Sequence, residues 1–458
     1  MNSKLKIKNS KLNKSLSYLC LSVFICSLFF LNVFAQNDGS LQNQTGRAGT
    51  FAITNARIVT VSGTTIENGT VVIQNGKIAA VGANLNAPGG AETIDARGLS
   101  VYPGMIDAGT NMALVEIGLG VPGSVDLAEN GDFNANAKAI IGINPHSTHI
   151  NVTRVNGITT VLSMPEGGAI TGQATIINLN GSTQSEMAVV PTFGLVLNFP
   201  RISTVSGFNP FSGPQTIEFS EAVKLRDKRL EDLRKLFKDT ENYAHVKEAY
   251  AKDKSLPSPK TDLKMDAMIP YVRGEKPVIF TAERERDIRG VINFVKDLKI
   301  KAIIMGGQEA WKQVNELKQN NISVIYTNVY NLPVRDDDPY DSLFETPAKL
   351  QKAGVKFAIS TGDQGPQVRE LPYQAGLASA YGLPKEEALK AVTLYPAQIL
   401  GIADRFGSIE TGKIANVVIT DGDILEPRTN IKYVFINGRM LPLTSRHTNL
   451  YEQFKDRK

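Results

Sequence analysis

The sequence predicts an α/β fold: a parallel sheet or barrel with a small β domain beside it, built from both ends of the chain. Three observations predict this. The middle of the chain alternates apolar, strand-like runs with helical stretches. The regions on either side share a short-β vocabulary, each with an Asn-Gly turn, Asn75-Gly76 and Asn437-Gly438. Residues 36–458 are enough for one large barrel and a small accessory domain.

The first 35 residues read as a secretory signal. Lys4, Lys6, Lys8, Lys11 and Lys14 form a basic stretch, an apolar run follows from Leu19 to Phe34, and Val33-Phe34-Ala35 suits a signal peptidase. The rival reading, a membrane anchor, needs a longer clean apolar stretch and different flanks. Cys20 and Cys26 lack the small-residue context of a lipoprotein, so no lipid anchor is expected. Both cysteines leave with the signal, which excludes disulfides and thiolate metal sites from the mature chain. Removing five lysines from 50 basic residues leaves 45, balanced against 45 acidic ones. Nothing here argues for nucleic acid or, after cleavage, a membrane as partner, and the expected location is secreted or periplasmic.

Residues 36–49 are polar and read as a disordered tether. Phe51, Ile53, Val59 and Val61 share one parity and open the first β part, 50–98, whose hairpin turns at Asn75-Gly76. A strand at 416–420 and a hairpin around Asn437-Gly438 form the second part, 405–445, before a tail at 446–458. Between them, at 99–404, seven buried strands are expected: 101–108, 157–164, 189–197, 277–282, 301–306, 323–327 and 355–360. An eighth is either hidden near 174–179 or degraded. A charged helix is expected over 217–251, with Ala222, Leu225, Leu230, Leu233 and Leu236 at helical spacing, and 256–259 breaks it. Shorter helices follow Pro384 and Pro396.

Three motifs carry a family resemblance. Ser100-Val-Tyr-Pro-Gly-Met-Ile-Asp-Ala-Gly-Thr-Asn111 resembles the metal-dependent amidohydrolase signature, a strand running into His-x-His. The segment from Gly407 to Asp421 resembles the family's return into its β-sandwich, and Ile53-Thr-Asn-Ala-Arg-Ile-Val with Asn75-Gly76-Lys77 resembles its opening. The likeness spans nearly the whole mature chain and is closest to the imidazolonepropionase-like branch. It implies a (β/α)8 barrel flanked by a small β-sandwich, with the site at the C-terminal ends of the strands.

The resemblance also implies one or two metal ions held by four histidines and an aspartate, which activate water against a C–N bond. In this chain the four histidine positions hold Gly109, Asn111, Thr281 and Gln308, while Asp363 is retained. Glycine offers no ligand, and neutral oxygens bind zinc poorly beside imidazole. Asp363 is a candidate catalytic residue, with a structural role at a strand end equally open; Asp107 too can accept backbone hydrogen bonds. His146 and His149 have a helical spacing that permits a metal pair, but their segment precedes the second strand and is expected at the wrong end of the barrel. His245 and His447 are expected on the surface. The loop from Glu166 to Gln173 could line the mouth. The Asp336, Asp337, Asp338 and Asp341 cluster reads as solvated, since it lacks calcium-loop spacing. Asn416 stands where the family's tail has aspartate, a near-isosteric change expected to preserve local hydrogen bonding.

Two functions follow. The first is a non-catalytic role without a tight metal, as a binding protein or as a subunit in a homo-oligomer or beside an intact amidohydrolase relative. The alternative is C–N hydrolysis on an altered site, using zinc or another divalent metal, or Asp363 alone.

Overall fold

The computed structural model describes residues 45–118, 123–209, 213–333, 335, 337–362 and 365–457. The expected signal segment lies outside the described residues. Among them, no helix is long and apolar enough to cross a membrane.

The first five strands are β1 (Phe51–Ile58), β2 (Ile66–Gln74), β3 (Lys77–Gly82), β4 (Glu92–Asp95) and β5 (Ser100–Pro103). After them come β6 (Met105–Thr110), β7 (Ile158–Ser163), β8 (Ile170–Gln173), β9 (Thr175–Asn178), β10 (Ala188–Val190) and β11 (Leu195–Asn198). A hairpin of β12 (Val205–Asn209) and β13 (Gly213–Thr216) precedes β14 (Val278–Ala282), β15 (Ala302–Gly306), β16 (Ser323–Tyr326) and β17 (Phe357–Ile359). The chain returns through β18 (Val417–Thr420), β19 (Ile431–Ile436) and β20 (Arg439–Met440).

Both ends of the described chain meet in one sheet ordered β20-β19-β18-β5-β1-β2-β3, with β4 on β1. It folds over its own core, where Phe51, Ile53, Ile73, Val417 and Phe435 are fully buried. The two Asn-Gly turns meet: the Ala415 N–H donates to Gly76 O at 2.9 Å, and the Gly438 N–H donates to Ala415 O at 3.0 Å. Asn75 and Asn437 adopt positive φ (52° and 53°), which asparagine tolerates better than most residues.

The expected strand at 101–108 is in fact two. Gly104 separates β5, which belongs to the sheet, from β6, which starts the barrel. Only glycine fits there, since a Cβ would lie 2.2 Å from Thr159 Oγ1. The expected strand at 189–197 also divides, into β10 and β11. The eighth barrel strand is β8 and β9, one strand bent at Ala174, whose N–H donates to Gly194 O at 2.8 Å. This strand runs antiparallel to both neighbours, β7 and β11, which departs from the all-parallel pattern that the resemblance implies.

The ring thus reads β6, β7, β8–β9, β11, β14, β15, β16, β17. It closes where the Gly362 N–H donates to Gly109 O at 3.1 Å and Ser360 Oγ donates to the same oxygen at 2.8 Å. Alternation along the strands sends Ile106, Leu162, Ile176, Val196, Ile279, Ile303, Met305, Ile325 and Ala358 into one shared interior core. The opposite faces pack against helices. Phe199, Phe237, Phe280 and Phe294 make edge-to-face contacts with centroids 5.5–6.3 Å apart. They join β11 and β14 to helix Glu285–Leu298 and to the charged helix, which spans Phe219–Lys252.

Candidate functional site

At the C-terminal end of β6, the register with β7 slips between Asp107 and Thr110. Asp107 is fully buried there. It accepts hydrogen bonds from Ser360 Oγ, from Thr361 Oγ1 at 2.6 Å, from Thr361 N at 3.3 Å and from Gly109 N at 3.2 Å. Burial pushes its carboxyl up to about 6, against those same hydrogen bonds. Asp107 therefore clasps the last strand to the first and holds the ring shut.

Gly109 faces Met305. A Cβ on Gly109 would meet Met305 Cε at 2.6 Å and Sδ at 2.9 Å, so the thioether occupies the space a side chain at 109 would need. Asn111 is 5% exposed, and its Nδ2 donates to Glu166 Oε1 at 3.1 Å. Its Oδ1 is buried without a hydrogen-bond partner among the described residues. The loop from Glu166 therefore does line the mouth.

On the far side, Thr281 shares the inward parity of Ile279. Its Oγ1 donates to Asn198 Oδ1 at 2.8 Å, and Asn198 Nδ2 donates to Gly168 O at 2.8 Å. Glu283, two residues on, was not singled out from the sequence. Its Oε2 accepts from Gln308 N at 3.0 Å and Asn328 Nδ2 at 2.9 Å, while Asn331 Nδ2 fixes Asn328 Oδ1 at 2.7 Å. A Cβ on Gly306 would lie 2.3 Å from Glu283 Oε1, and φ at Gly306 is +99°, so glycine makes room for this carboxylate. Glu283 stays open to solvent through the mouth, yet crowding by surrounding atoms raises its pKa, with the Gln308 and Asn328 bonds and Arg201 opposing. Gln308 is 8% exposed and lines a cavity of about 250 Å³ above the ends of β14, β15 and β16.

The other predicted residues fall as follows. Asp363 and Asp336 lie outside the described residues. Asp337 is exposed, Asp338 borders the Gln308 cavity, and Asp341 precedes helix Ser342–Ala353. His245 and His447 are on the surface, the latter 3.2 Å from Arg369 Nη1. The placing of His146 and His149 is corrected. Helix Thr148–Arg154, which carries His149, begins at the strands' C-terminal end. There His149 packs against Gly365, beyond β17, and its Nε2 lies 3.0 Å from Glu116 O. His146 is exposed.

These groups do not fit the metal that the sequence resemblance implies. Met305 fills the space beside Gly109, the Asn111 amide is tied to Glu166, and Thr281 donates its proton to Asn198. The oxygens left over are neutral and weak toward zinc. What the mouth offers is amide and hydroxyl hydrogen bonding, plus carboxylates after the second and fifth strands of the ring. That set suits a small polar ligand.

Comparison with known proteins agrees with the barrel. Residues 310–441 match the amidohydrolase family. A 57-residue stretch is 39% identical to N-acetylglucosamine-6-phosphate deacetylase of Haemophilus influenzae, over 12% of this chain and 14% of that protein. The chain thus spans about a seventh of that relative's length. The crystal structure of an amidohydrolase from Thermotoga maritima MSB8 superposes with a TM-score of 0.75 at 28% identity, covering 86% of this chain and 99% of that one. Molinate hydrolase superposes at 0.52 with 16% identity, covering 87% and 96%, a likeness of fold alone.

Proposed function

From the premise that the chain belongs to the amidohydrolase superfamily, we propose that it works without a tight catalytic metal, as a binding protein whose barrel mouth takes a small polar ligand. One observation carries this reading: Met305 stands where a side chain at position 109 would have to go. The substitution of histidine by glycine is thereby matched by a second residue that fills the vacated space. The orphaned Asn111 Oδ1 supports it, because a buried acceptor without a partner is what a ligand's N–H or O–H would satisfy.

Elemental analysis of the exported protein after dialysis tests the proposal, paired with melting curves with and without EDTA. The expected result is no stoichiometric metal and an unchanged melting temperature, since a bound metal would add stability that chelation removes. Near-stoichiometric zinc, manganese or iron would overturn it. Export itself is part of the proposal: cleavage after Ala35 leaves Gln36 as the first residue, which intact mass checks. A tagged copy at native expression tests the partner-subunit form. Co-recovery of a relative with an intact His-x-His in fixed stoichiometry supports that form, and self-recovery alone leaves the ligand-binding role.

One observation favours a second reading, C–N hydrolysis without metal. Glu283 Oε1 has no protein hydrogen-bond partner among the described residues, while Oε2 is held at two points. A carboxylate fixed in this way, with a raised pKa, can take a proton from water. Turnover of an amide that persists in EDTA and is lost in Glu283→Gln would establish it.

A further inference from the structure

We propose that the cavity beside Gln308 binds a small organic anion, a carboxylate or phosphate ester on a body no larger than a hexose. The inference rests on the metal-free reading only in that the Gln308 side chain must be available. At about 250 Å³ the cavity lies just below the usual range for small-molecule sites.

Three sources of positive charge or potential converge on it. Arg284 lines the cavity and makes no hydrogen bond to a carboxylate among the described residues; its charge acts on Asp287 through space. Arg335 lines it too, 3.5 Å from Glu309 Oε1. The third source is the start of helix Ser342–Ala353, whose first two residues, Ser342 and Leu343, also form the wall. The Ser342 N–H donates to Pro339 O at 3.0 Å, but Asp341 makes no side-chain cap, so the next N–H groups of the first turn and the positive end of the helix dipole face an anion.

A helix start alone would not make a site, but two buried side chains point to a ligand independently. Gln308 is 8% exposed and Ser342 is 6% exposed, and neither the Gln308 amide nor the Ser342 hydroxyl has a protein hydrogen-bond partner among the described residues. Both groups face the cavity without a protein bond, and an anion's oxygens would take the place of water on them. The acidic wall does not repel this ligand, because Glu309 is already neutralised. Its Oε1 takes Lys312 Nζ at 2.7 Å, and its Oε2 takes the Glu285 N–H at 2.8 Å. Asp338, half-buried on the rim, supplies an acceptor for a hydroxyl on the ligand's far side. Trp311 and Leu343 give apolar area for the ligand body.

The chain's single tryptophan is the one in this wall, so its emission reports binding directly. The full mature protein, held in EDTA, is titrated with D-glucuronate, D-glucose 6-phosphate and benzoate, and with neutral D-glucose and benzamide. At least one anion should change the emission with Kd below about 1 mM, with its neutral counterpart at least about tenfold weaker. Glucuronate against glucose 6-phosphate separates a carboxylate from a phosphate ligand. Arg284→Gln should weaken binding about tenfold and Gln308→Leu several-fold, with far-ultraviolet circular dichroism unchanged. Calorimetry on Trp311→Phe should retain binding while the emission signal is lost. The proposal is overturned if no anion acts up to about 20 mM, if the neutral counterparts bind as well, or if Arg284→Gln binds like wild type. Stoichiometric zinc would sink the metal-free reading, yet this titration in EDTA would still judge the anion site.

Discussion

A buried amide cluster at the N-terminal end of the barrel and the polar groups of its mouth are held in different ways. At the N-terminal end, where barrel meets sheet, Asn416 Nδ2 donates to Asn178 Oδ1 at 3.0 Å, Thr160 Oγ1 at 3.1 Å and Thr159 Oγ1 at 3.3 Å. Its Oδ1 accepts from Asn437 N at 2.9 Å, and Asn178 Nδ2 donates to Asn437 Oδ1 at 2.8 Å. Both amide atoms of Asn416 and of Asn178 have partners. At the C-terminal end, the buried Asn111 Oδ1 has none among the described residues, and neither do the Gln308 amide, the Ser342 hydroxyl and the solvent-exposed Glu283 Oε1. Asn180 Oδ1, just beyond β9, is also buried without a partner among the described residues, so the contrast lies between the Asn416 cluster, whose bonds serve stability, and the mouth groups, which are left to water or a ligand.

The strongest way to break the comparison is Asn416→Asp. The family motif has aspartate here, and the sequence alone suggests a conservative exchange. In this chain, however, Nδ2 donates to three acceptors that a carboxylate would face as a fourth acceptor. Urea unfolding should show a loss of about 3 kcal/mol. A loss near zero would mean that the network rearranges freely and that the contrast between the two ends has been overdrawn.

Next in size is the attempt to rebuild the inherited site with Gly109→His and Asn111→His together. Met305 must move, so the variant should lose about 2 kcal/mol, and it should still dialyse to a metal-free state because Thr281 and Gln308 remain. Tight zinc in the double variant would show that two imidazoles and the remaining oxygens suffice. Removing the obstruction as well, with Met305→Ala, should recover part of the stability without recovering metal.

A smaller effect depends on pH. The Asp107 carboxyl is held at about 6 against an ordinary 3.8, so the fold favours its protonated form. Its contribution to stability is complete below about pH 4 and is lost as pH rises through about 6. Asp107→Asn cannot titrate. The stability of wild type relative to this variant should therefore fall by about 1 kcal/mol or more between pH 4.5 and 7.5, read as urea midpoints. A flat difference would show that the four hydrogen bonds outweigh burial and leave the carboxylate ionised throughout.

The same asymmetry governs what could be read from the sequence. Strands such as β7, β14 and β15 announce themselves as apolar runs, because both of their faces are buried. The eighth strand hides because Thr171, Gln173, Thr175 and Asn178 are buried although polar, and Gly172 interrupts it. Glu283 hides in the run Glu283-Arg284-Glu285-Arg286, which looks like a solvated helix start. Chain order alone puts His149 at the wrong end, because only contacts across the ring, with Gly365 and Glu116, show which end its helix begins at. Met305 reads as one more apolar strand residue, and only the ring brings it opposite Gly109. Which residue stands at each implied ligand position is legible in the sequence, whereas what surrounds it depends on neighbours across the barrel.

The smallest effect is the sharpest test. Gln308→Met keeps the length of the side chain and removes its amide, at a site as buried as Asn416. If burial alone set the cost of losing a polar group, the two substitutions would destabilise similarly. If the Gln308 amide makes no protein hydrogen bond until a ligand comes, its replacement removes no bond, and stability should change by less than about 0.5 kcal/mol. Binding should move the other way: the anion that changes Trp311 emission should bind several-fold more weakly. Wild type should gain melting temperature on adding that anion, and the variant should gain less. A loss of 2 kcal/mol or more in the ligand-free variant would place Gln308 among the structural amides. The distinction between the two ends would then rest on Asn111 and Glu283 alone.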